Sequence, residues 1–417
     1  MIPTVLVLGA NTGLGFEATK HFATMNPARL ILACRSETRG QAAVDKLKAQ
    51  TGYQHAELWL VDLSDLDSIK RFADKFEADG GRLDILVENA AVSTEMFRAG
   101  EDGIESSLKI AALSTPYVAL RLLPIMLRTA REHSSIPRLV VVSSEVHYWT
   151  DIKKEVIDDP MNIIKKLGSK DYCNLKNVMG TRYWLTKLAN VLFVRALTAR
   201  LPASPTLIVT AVNPGFCSTE LMREAQSSGI GAFVLSIVYA LLALTPEQGS
   251  RNLVFAAVGE PDQPGKLQGQ FLFNKQPVEP SDFVVSEDGK RAEERFWYDM
   301  LDIVAVYRAE SSRPNDPQSE CASGLGPSRA IESHRGDPSP SCPASLTSRR
   351  SISAAFGEWD DCVREESSVE VFRVAPEGPN RTRTSASANG PKCRLITSPR
   401  RASDWIHIGR VASIYYT

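Results

Sequence analysis

Short apolar runs alternate with longer segments of mixed polarity along the first three quarters of the chain. The runs have the length of β-strands, and they are almost wholly apolar, as is typical of strands covered on both faces. The predicted strands are Val5–Leu8, Arg29–Ala33, Ala56–Val61, Leu83–Val87, Arg138–Val142, Leu207–Val212 and Gln270–Phe273. The predicted helices are Gly15–Met25, Glu37–Gln50, Asp65–Asp79, Gly103–Glu132 (bent or interrupted at Pro116 and Pro124), Tyr183–Leu201 and Thr245–Val258.

This alternation predicts an α/β fold, namely a three-layer, doubly wound parallel sheet of the Rossmann type. Ligands of such sheets bind beyond the carboxyl ends of the strands. The residues that directly follow each strand are therefore the first candidates for chemistry.

The last quarter of the chain has a different composition. Residues 311–417 contain one lysine and 13 arginines, whereas residues 1–310 contain 16 lysines and 18 arginines. Serine, proline, arginine and glycine dominate this quarter, and no hydrophobic period is sustained. We predict one domain over residues 1–306 and a low-complexity, mostly disordered tail over residues 307–417.

Charge and cysteine content argue against some classes of protein. The 48 basic and 49 acidic residues nearly balance, which argues against nucleic acid as a partner recruited by overall charge. The seven cysteines form no CxxC pair and no zinc spacing, so we expect a reducing, cytoplasmic environment and no metal site.

Two features bear on targeting. The start of the chain has no basic segment before its first apolar run, so no secretory signal is predicted. The longest apolar run, Ile230–Leu244, is shorter than the roughly 20 residues that span a bilayer. We expect no transmembrane span and interpret the run as a buried or pocket-lining helix, with peripheral membrane contact as the alternative.

Glycines follow the first predicted strand and open the first predicted helix. The segment Gly9–Gly15 reads Gly-Ala-Asn-Thr-Gly-Leu-Gly. A tight turn needs glycine, and the amides at a helix N-terminus bind a pyrophosphate. A strand before and a helix after this pattern indicate a dinucleotide site.

The end of the second strand indicates which dinucleotide is bound. Sites for NAD usually place an acidic residue there to hold the ribose 2′-hydroxyl. This chain has Arg35 instead, with Arg39 one helical turn further on. Because a guanidinium pairs with a 2′-phosphate, the sequence favours NADP(H).

Tyr183 and Lys187 are four residues apart in a predicted helix and share one face. A neighbouring ammonium stabilises the phenolate and lowers the pKa of the tyrosine from near 10. Such a tyrosine can exchange a proton near neutral pH. Ser144, at the end of the fifth strand, offers a hydroxyl that could hold a carbonyl oxygen.

Taken together, these motifs resemble the short-chain dehydrogenase/reductase family, single-domain type, over about residues 3–305. The stretches VLVLGANTGLGFEATKHFA and YWLTKLANVLFVRAL are especially similar to retinol-dehydrogenase-like enzymes and fungal secondary-metabolism reductases. The resemblance implies an oxidoreductase that moves hydride between NADP(H) and the carbonyl or alcohol of an apolar small molecule, such as a polyketide-like intermediate. It also implies that homo-oligomers are common among its relatives.

The resemblance further implies a role for each matching position. Ser144, Tyr183 and Lys187 would be catalytic. The implied cofactor contacts are Gly9, Asn11, Gly13, Leu14, Gly15, Arg35, Asp62, Leu63, Asn89, Tyr183, Lys187, Pro214, Gly215 and Thr219.

The chain departs from the family pattern at three positions. Leu8 stands where a threonine is common, and Ala91 replaces a glycine. Ala111 replaces an asparagine that anchors a proton-relay water near the lysine. Either another group holds that water, or proton transfer is slower.

Two further segments are expected near the substrate. Residues 149–180 form an insertion between Ser144 and Tyr183 that we expect to border the substrate entrance. The run Ile230–Leu244 follows Thr219, and its apolar face suggests a hydrophobic substrate. Packing within the protein or against a second copy is the competing interpretation of this run.

Other functions compete with the oxidoreductase as interpretations of the same residues. A hydrolase based on Ser144 and His147 is disfavoured because no GxSxG elbow surrounds the serine. Cys217 could be reactive, but a plain small apolar residue is the simpler interpretation. A catalytically weak NADP-binding regulatory or scaffold protein is the second hypothesis, which Ala111 favours and the intact Ser144, Tyr183 and Lys187 set opposes.

Overall fold

A computed structural model describes residues 3–94, 96–202, 206–217 and 243–311. Eight strands form one sheet in the order β3-β2-β1-β4-β5-β6-β7-β8, and all neighbouring pairs are parallel except the antiparallel pair of β7 and β8. The strands are β1 Thr4–Leu8, β2 Arg29–Cys34, β3 Ala56–Leu60, β4 Ile85–Glu88, β5 Arg138–Val142, β6 Ile208–Val212, β7 Phe271–Phe273 and β8 Gln276–Val278. The predicted parallel sheet is confirmed, and β8 extends it by an edge strand that was not predicted.

Helices cover both faces of the sheet. They are α1 Gly13–Thr24, α2 Glu37–Thr51, α3 Leu66–Ala78, α4 Ser106–Lys109, α5 Thr115–His133, α6 Lys154–Ile157, α7 Ile163–Gly168, α8 Lys170–Cys173, α9 Arg182–Thr198, α10 Pro246–Val258, α11 Asp282–Val285 and α12 Glu287–Ser311. One apolar core lies between the sheet and α3, α5, α9 and α12, and a second lies between the sheet and α1, α2 and α10. The three-layer α/β architecture is therefore confirmed.

Local sequence explains where several helices begin and end. Asp65 caps α3, because its carboxylate accepts the amide of Asp67 at 2.8 Å. Thr245 and Gln248 form a reciprocal capping box at the start of α10. Gly52 ends α2 with a φ of 76°, a conformation that glycine adopts without strain.

The long helical segment Ser106–His133 covers the centre of the sheet. It contains a π-helical turn, Ile110–Ser114, between α4 and α5. This is the one segment of the described residues that is long and apolar enough to cross a membrane, and 89% of its apolar window is buried inside the protein. The apolar character of the segment is thus accounted for by the core.

The C-terminal part of the described chain is helical. The helix α12 was not predicted; it packs on α9 and runs past residue 306 to Ser311. The predicted boundary at residue 306 and the predicted disorder of the tail stay predictions, because residues 312–417 lie outside the described residues.

Candidate active site

The carboxyl edge of the sheet gathers the residues that the sequence singled out. Gly9, Arg35, Asp62, Asn89, Ser144 and Pro214 each follow the end of β1, β2, β3, β4, β5 or β6, respectively. Because these strands are parallel neighbours, all six positions lie along one edge. The edge is where an open α/β sheet binds its ligand.

The turn between β1 and α1 has little room for side chains. Gly9 has a φ of 70°, and a Cβ atom added there would lie 2.9 Å from the Cα atom of Ala90. A Cβ atom on Gly15 would lie 2.4 Å from the carbonyl oxygen of Gly9. Gly13 has a φ of 59° and open space on its Cβ side. The turn is therefore closed toward the sheet and open toward the edge.

The first amides of α1 lie at this turn. Thr12 is the N-cap residue, and its side chain makes no capping hydrogen bond. Amides at the start of a helix are a binding site for an anion such as a pyrophosphate. The geometry of the turn thus fits a dinucleotide.

Asn89 braces the turn from the neighbouring strand. Its side-chain amide donates to the carbonyl oxygen of Gly9 at 3.1 Å and lies 3.4 Å from that of Leu8. The same amide nitrogen would be 2.6 Å from a Cβ atom on Gly15. Asn89 therefore supports the turn through the backbone of β1.

The ends of β2 and β3 carry the residues predicted to select and hold the adenosine part. Arg35 and Arg39 are exposed, and neither guanidinium makes an ion pair within the described part of the chain. Asp62 is half-buried and accepts the amide and hydroxyl of Ser64 at 2.9 and 2.7 Å. Leu63 is buried in the core below. Two free guanidinium groups at this edge fit a 2′-phosphate.

Tyr183 and Lys187 lie one turn apart at the start of α9. The Lys187 side chain is 3% exposed, and its ammonium donates to the carbonyl oxygen of Val142 at 2.9 Å. The ammonium lies 5.4 Å from the centre of the Tyr183 ring. Burial lowers the pKa of Lys187 to about 8. The proton on this amine is thus held loosely enough to exchange near neutral pH.

The backbone of α9 is tied to the end of β5 as well. The hydroxyl of Ser143 donates to the carbonyl oxygen of Lys187 at 2.8 Å. Ser144, the next residue, is half-buried, and its hydroxyl accepts the amide of Val146 at 3.4 Å. The structure thus holds Ser144 at the same edge as Tyr183 and Lys187.

His147 hydrogen-bonds to the backbone of Ser144 and not to its hydroxyl. Its Nδ1 atom donates to the carbonyl oxygen of Ser144 at 2.7 Å, and its Nε2 atom accepts the amide of Ser281 at 3.2 Å. Burial lowers the pKa of the ring to about 4, so the imidazole is neutral. Both ring nitrogens are committed to backbone groups, which argues against the hydrolase hypothesis.

The loop after β6 is the last part of the edge. Gly215 has a φ of 86°, and its amide donates to the side chain of Asn213 at 3.0 Å. The carbonyl oxygen of Pro214 accepts the side-chain amide of Asn252 at 3.2 Å. Burial and nearby Glu145 raise the pKa of Cys217 to about 11, so its thiol stays protonated. Thr219 and most of the run Ile230–Leu244 lie outside the described residues.

Hydrogen bonds attach the insertion 149–180 to α12. The guanidinium of Arg295 donates to the carbonyl oxygens of Ile157, Asp159 and Met161 at 2.8 to 3.1 Å. Trp149 instead packs edge-to-face on Trp184 of α9, with ring centres 5.6 Å apart. The start of the insertion therefore touches the helix that carries Tyr183.

A buried ion pair connects the residue that precedes α4 to the same helix and was missed in the sequence. Arg182 precedes Tyr183 and lies 3.3 Å from the carboxylate of Glu105, and both side chains are at most 1% exposed. Arg182 also donates to the carbonyl oxygen of Leu167 at 2.9 Å. Two charged residues 77 positions apart give no local signal.

Ala111 lies in the π-helical turn over the sheet and is 7% exposed. π-helical turns occur frequently at functional sites. Alanine offers no polar side-chain atom, so any polar side chain required beside Lys187 has to come from another residue.

Comparisons with known proteins agree with this architecture. A sequence profile described as short chain dehydrogenase matches residues 3–148. The chain is 31% identical over 301 residues to the short chain dehydrogenase/reductase dmxR8 of Cryptosporiopsis sp., a match that covers 72% of this chain and 89% of the relative. It is 36% identical over 273 residues to the short chain dehydrogenase atnD of Emericella nidulans, covering 64% of this chain and 82% of the relative.

A solved structure supports the fold alone. It is an uncharacterized protein from Mycobacterium paratuberculosis, with a TM-score of 0.51 and 23% identity. The match covers 72% of this chain and 95% of that protein.

Proposed function

This chain belongs to the short-chain dehydrogenase/reductase family, and on that premise we propose that it is an NADP(H)-dependent oxidoreductase acting on a carbonyl or alcohol group of an apolar small molecule. The observation that carries the proposal is the buried ammonium of Lys187, one helical turn from Tyr183, at the same sheet edge as a glycine turn that fits a dinucleotide. A secondary-metabolite intermediate is the substrate class that we propose.

The roles of the chain's residues follow from their placement. The bound cofactor supplies or accepts the hydride. In the reducing direction, the Tyr183 hydroxyl gives its proton to the oxygen of the substrate while that oxygen gains charge. The ammonium of Lys187, 5.4 Å from the ring centre, stabilises the phenolate that remains. The Ser144 hydroxyl orients the carbonyl oxygen.

The cofactor contacts are proposed by position. Gly9, Asn11, Gly13, Leu14 and Gly15 would hold the pyrophosphate at the start of α1. Arg35 would pair with the 2′-phosphate, since it is exposed and has no carboxylate partner among the described residues. The remaining contacts would be Asp62, Leu63, Asn89, Tyr183, Lys187, Pro214, Gly215 and Thr219.

Exposed aromatic side chains favour an apolar substrate. Trp149 and Phe216 are 47% and 42% exposed, and they follow the ends of β5 and β6, respectively. Trp184 packs on Trp149 beside Tyr183. Large apolar side chains left in water at the mouth of a site are typical of a surface that binds an apolar ligand.

The test is consumption of NADPH with a panel of apolar ketones and aldehydes. Wild-type protein should turn over at least one of them, and Tyr183→Phe should lower kcat by about 10²- to 10⁴-fold, the usual contribution of a general acid. Turnover that survives Tyr183→Phe unchanged would refute the mechanism.

The second candidate is an NADP-binding protein with little catalytic activity. Ala111 favours it, because this residue cannot hold a water for proton transfer by its side chain. Tight binding of NADPH without turnover of any compound in the panel would support this candidate over the enzyme. A cytoplasmic location and assembly into homo-oligomers stay predictions.

A further inference from the structure

Glu88 is an acid in an otherwise apolar row of the sheet. It is the last residue of β4, opposite Leu8 on β1 and Val141 on β5. The row continues outward through Ala33 on β2, Ala211 on β6 and Phe271 on β7, and all five neighbours belong to the core under α3, α5 and α9. Since side chains opposite each other point to one face, the carboxyl group of Glu88 points into the layer that α9 covers.

The carboxyl group of Glu88 is buried without a partner. The side chain is 3% exposed, and neither carboxyl oxygen has a hydrogen-bond partner within the described part of the chain. Burial raises its pKa well above the usual value, which favours the neutral carboxylic acid. A buried polar group of this kind is normally satisfied by protein or by an internal water.

The backbone of β5 shows what lies beside this carboxyl group. The amide of Arg138 donates to Asp84 before β4, and the amide of Ser143 donates to Val212 of β6, both at 2.8 Å. Backbone groups of successive residues in a strand point to opposite sides. The carbonyl group of Val142 therefore points toward β4, at the end where Glu88 lies.

Two side chains from α9 reach this carbonyl group. Lys187 donates to it at 2.9 Å and Asn190 at 3.0 Å. The amide oxygen of Asn190 is buried and has no partner among the described residues. Neighbouring strands are about 4.8 Å apart, so the buried side chains of Glu88, Asn190 and Lys187 all lie on the α9 face of the sheet, around the ends of β4 and β5.

This region offers the polar partners that an internal water requires. A buried water makes two to four hydrogen bonds. The carboxyl group of Glu88 can donate and accept, the oxygen of Asn190 accepts, and the ammonium of Lys187 has donors beyond the one used on Val142.

We propose that Glu88 is a positioning residue for Lys187, acting as a neutral acid that, together with Asn190, holds a buried water against the Lys187 ammonium. This water solvates the charged form of Lys187 and gives its proton a hydrogen-bonded neighbour. The sheet, rather than the side chain at Ala111, then supplies the polar group beside the lysine. The role in catalysis rests on the proposed function, whereas the effect on the charge of Lys187 does not.

Other titratable groups belong to α4, α5 and the start of α9, which cover the same face of the sheet. Tyr183 lies on α9 beside Lys187. Glu105 at the start of α4 pairs with Arg182, and Lys109 pairs with Asp102. From α5, Tyr117 is buried in the same core. On the sheet, the neighbours of Glu88 in its row are apolar, so no other carboxyl group of this row can set the charge of Lys187.

The experiment titrates Lys187 directly, by NMR of isotope-labelled lysine side chains in full-length, cofactor-free protein. The Lys187→Arg variant assigns the signal. Glu88→Leu removes the polar group and keeps the row apolar, whereas Glu88→Gln keeps a neutral donor and acceptor. The matched control is Glu293→Leu, which removes another buried carboxyl group. Glu293 lies on α12, the helix that packs against α9.

We expect Glu88→Leu to lower the pKa of Lys187 by about one unit through loss of local solvation. Glu88→Gln and Glu293→Leu should leave this pKa within about 0.3 unit of wild type. If Glu88→Leu fails to fold, Glu88→Met makes the same test with an unbranched side chain. In turnover, the high-pH limb of the kcat profile should move with the pKa of Lys187, which a purely structural role would not cause.

Two outcomes would overturn the proposal. One is an unchanged pKa of Lys187 in Glu88→Leu. The other is a fall in Glu88→Gln as large as in Glu88→Leu, because Glu88 would then act through its charge. A shift of the pKa in a protein without NADPH turnover would refute the proposed function alone.

Discussion

The two halves of the sheet edge are built by different means. The cofactor half, formed by the ends of β1 to β3 with α1, is shaped by backbone that excludes side chains, as at Gly9 and Gly15. The catalytic half, formed by the ends of β4 to β6 with α9, is shaped by buried polar side chains such as Arg182 and Lys187. An anion site can be made from amides alone, whereas proton transfer needs groups whose charge is tuned by burial.

The difference predicts how each half fails. A substitution in the cofactor half should cost affinity for the dinucleotide. A substitution in the catalytic half should lower the free energy of unfolding or change its pH dependence, because charged groups are buried there. Four experiments test this division.

The largest effect is expected for Arg182→Leu in the catalytic half. It leaves Glu105 buried without its cation, although that carboxylate still accepts the amides of Ser107 and Leu108 at 2.8 and 3.0 Å. Breaking a buried pair in this way costs about 3–5 kcal/mol of unfolding free energy. Urea denaturation measures the loss.

The control is Arg251→Leu, which breaks the exposed pair with Glu247 on α10. Surface pairs contribute about 0–1 kcal/mol. Equal losses in the two variants would show that the Arg182 pair has no special role.

In the cofactor half, Gly15→Ala should weaken NADPH binding by about a hundredfold, or about 3 kcal/mol. The new Cβ atom would lie 2.4 Å from the Gly9 oxygen and 2.6 Å from the Asn89 amide, so the turn must open. Fluorescence titration of NADPH measures the affinity.

Gly52→Ala is the matched control, because it introduces a Cβ atom at a positive φ with no atom within 4 Å. It should cost some stability and leave NADPH binding unchanged. Unaltered binding in Gly15→Ala would contradict the role of the turn.

His147 predicts a pH dependence of stability in the catalytic half. Its pKa is about 4 in the folded protein, below the ordinary 6.5, so the unfolded chain binds the proton more readily between these values. Stability should therefore fall as pH drops from about 6.5 to about 4, by up to about 3 kcal/mol.

Denaturation at several pH values tests this dependence. His147→Gln should lack this part of the acid loss, whereas the exposed His55→Gln should keep it. An identical acid profile in wild type and His147→Gln would count against the neutral, buried imidazole.

The smallest effect is expected for Arg35→Asp in the cofactor half. Loss of a charge-assisted hydrogen bond to the 2′-phosphate should weaken NADPH binding by about tenfold to a hundredfold. The new carboxylate should favour NADH, because it can accept the 2′-hydroxyl. Comparing the Kd values of both cofactors provides the measurement, and an unchanged ratio would refute the assignment.

The cofactor half could be predicted from sequence more fully than the catalytic half. The glycine turn and Arg35 lie directly after strands, and backbone rules of that kind are local. The pair of Tyr183 and Lys187 could also be predicted, because four residues on a helix fix a shared face.

The missed contacts join distant parts of the chain. Arg182 meets Glu105, and His147 meets Ser281, through packing that no local pattern encodes. Glu88 resembles an ordinary polar residue at a strand end, and only the register of β4 with β1 and β5 places it in the core.

The glycine turn of the cofactor half should carry most of the affinity for the dinucleotide, whereas the Tyr183 hydroxyl should carry the proton transfer. Titration of NADPH into wild type, Gly15→Ala and Tyr183→Phe tests this division of roles. Tyr183→Phe should bind NADPH within about threefold of wild type, because the lost hydroxyl transfers a proton, and Gly15→Ala should bind NADPH about a hundredfold more weakly. Equal affinities in all three proteins would contradict it.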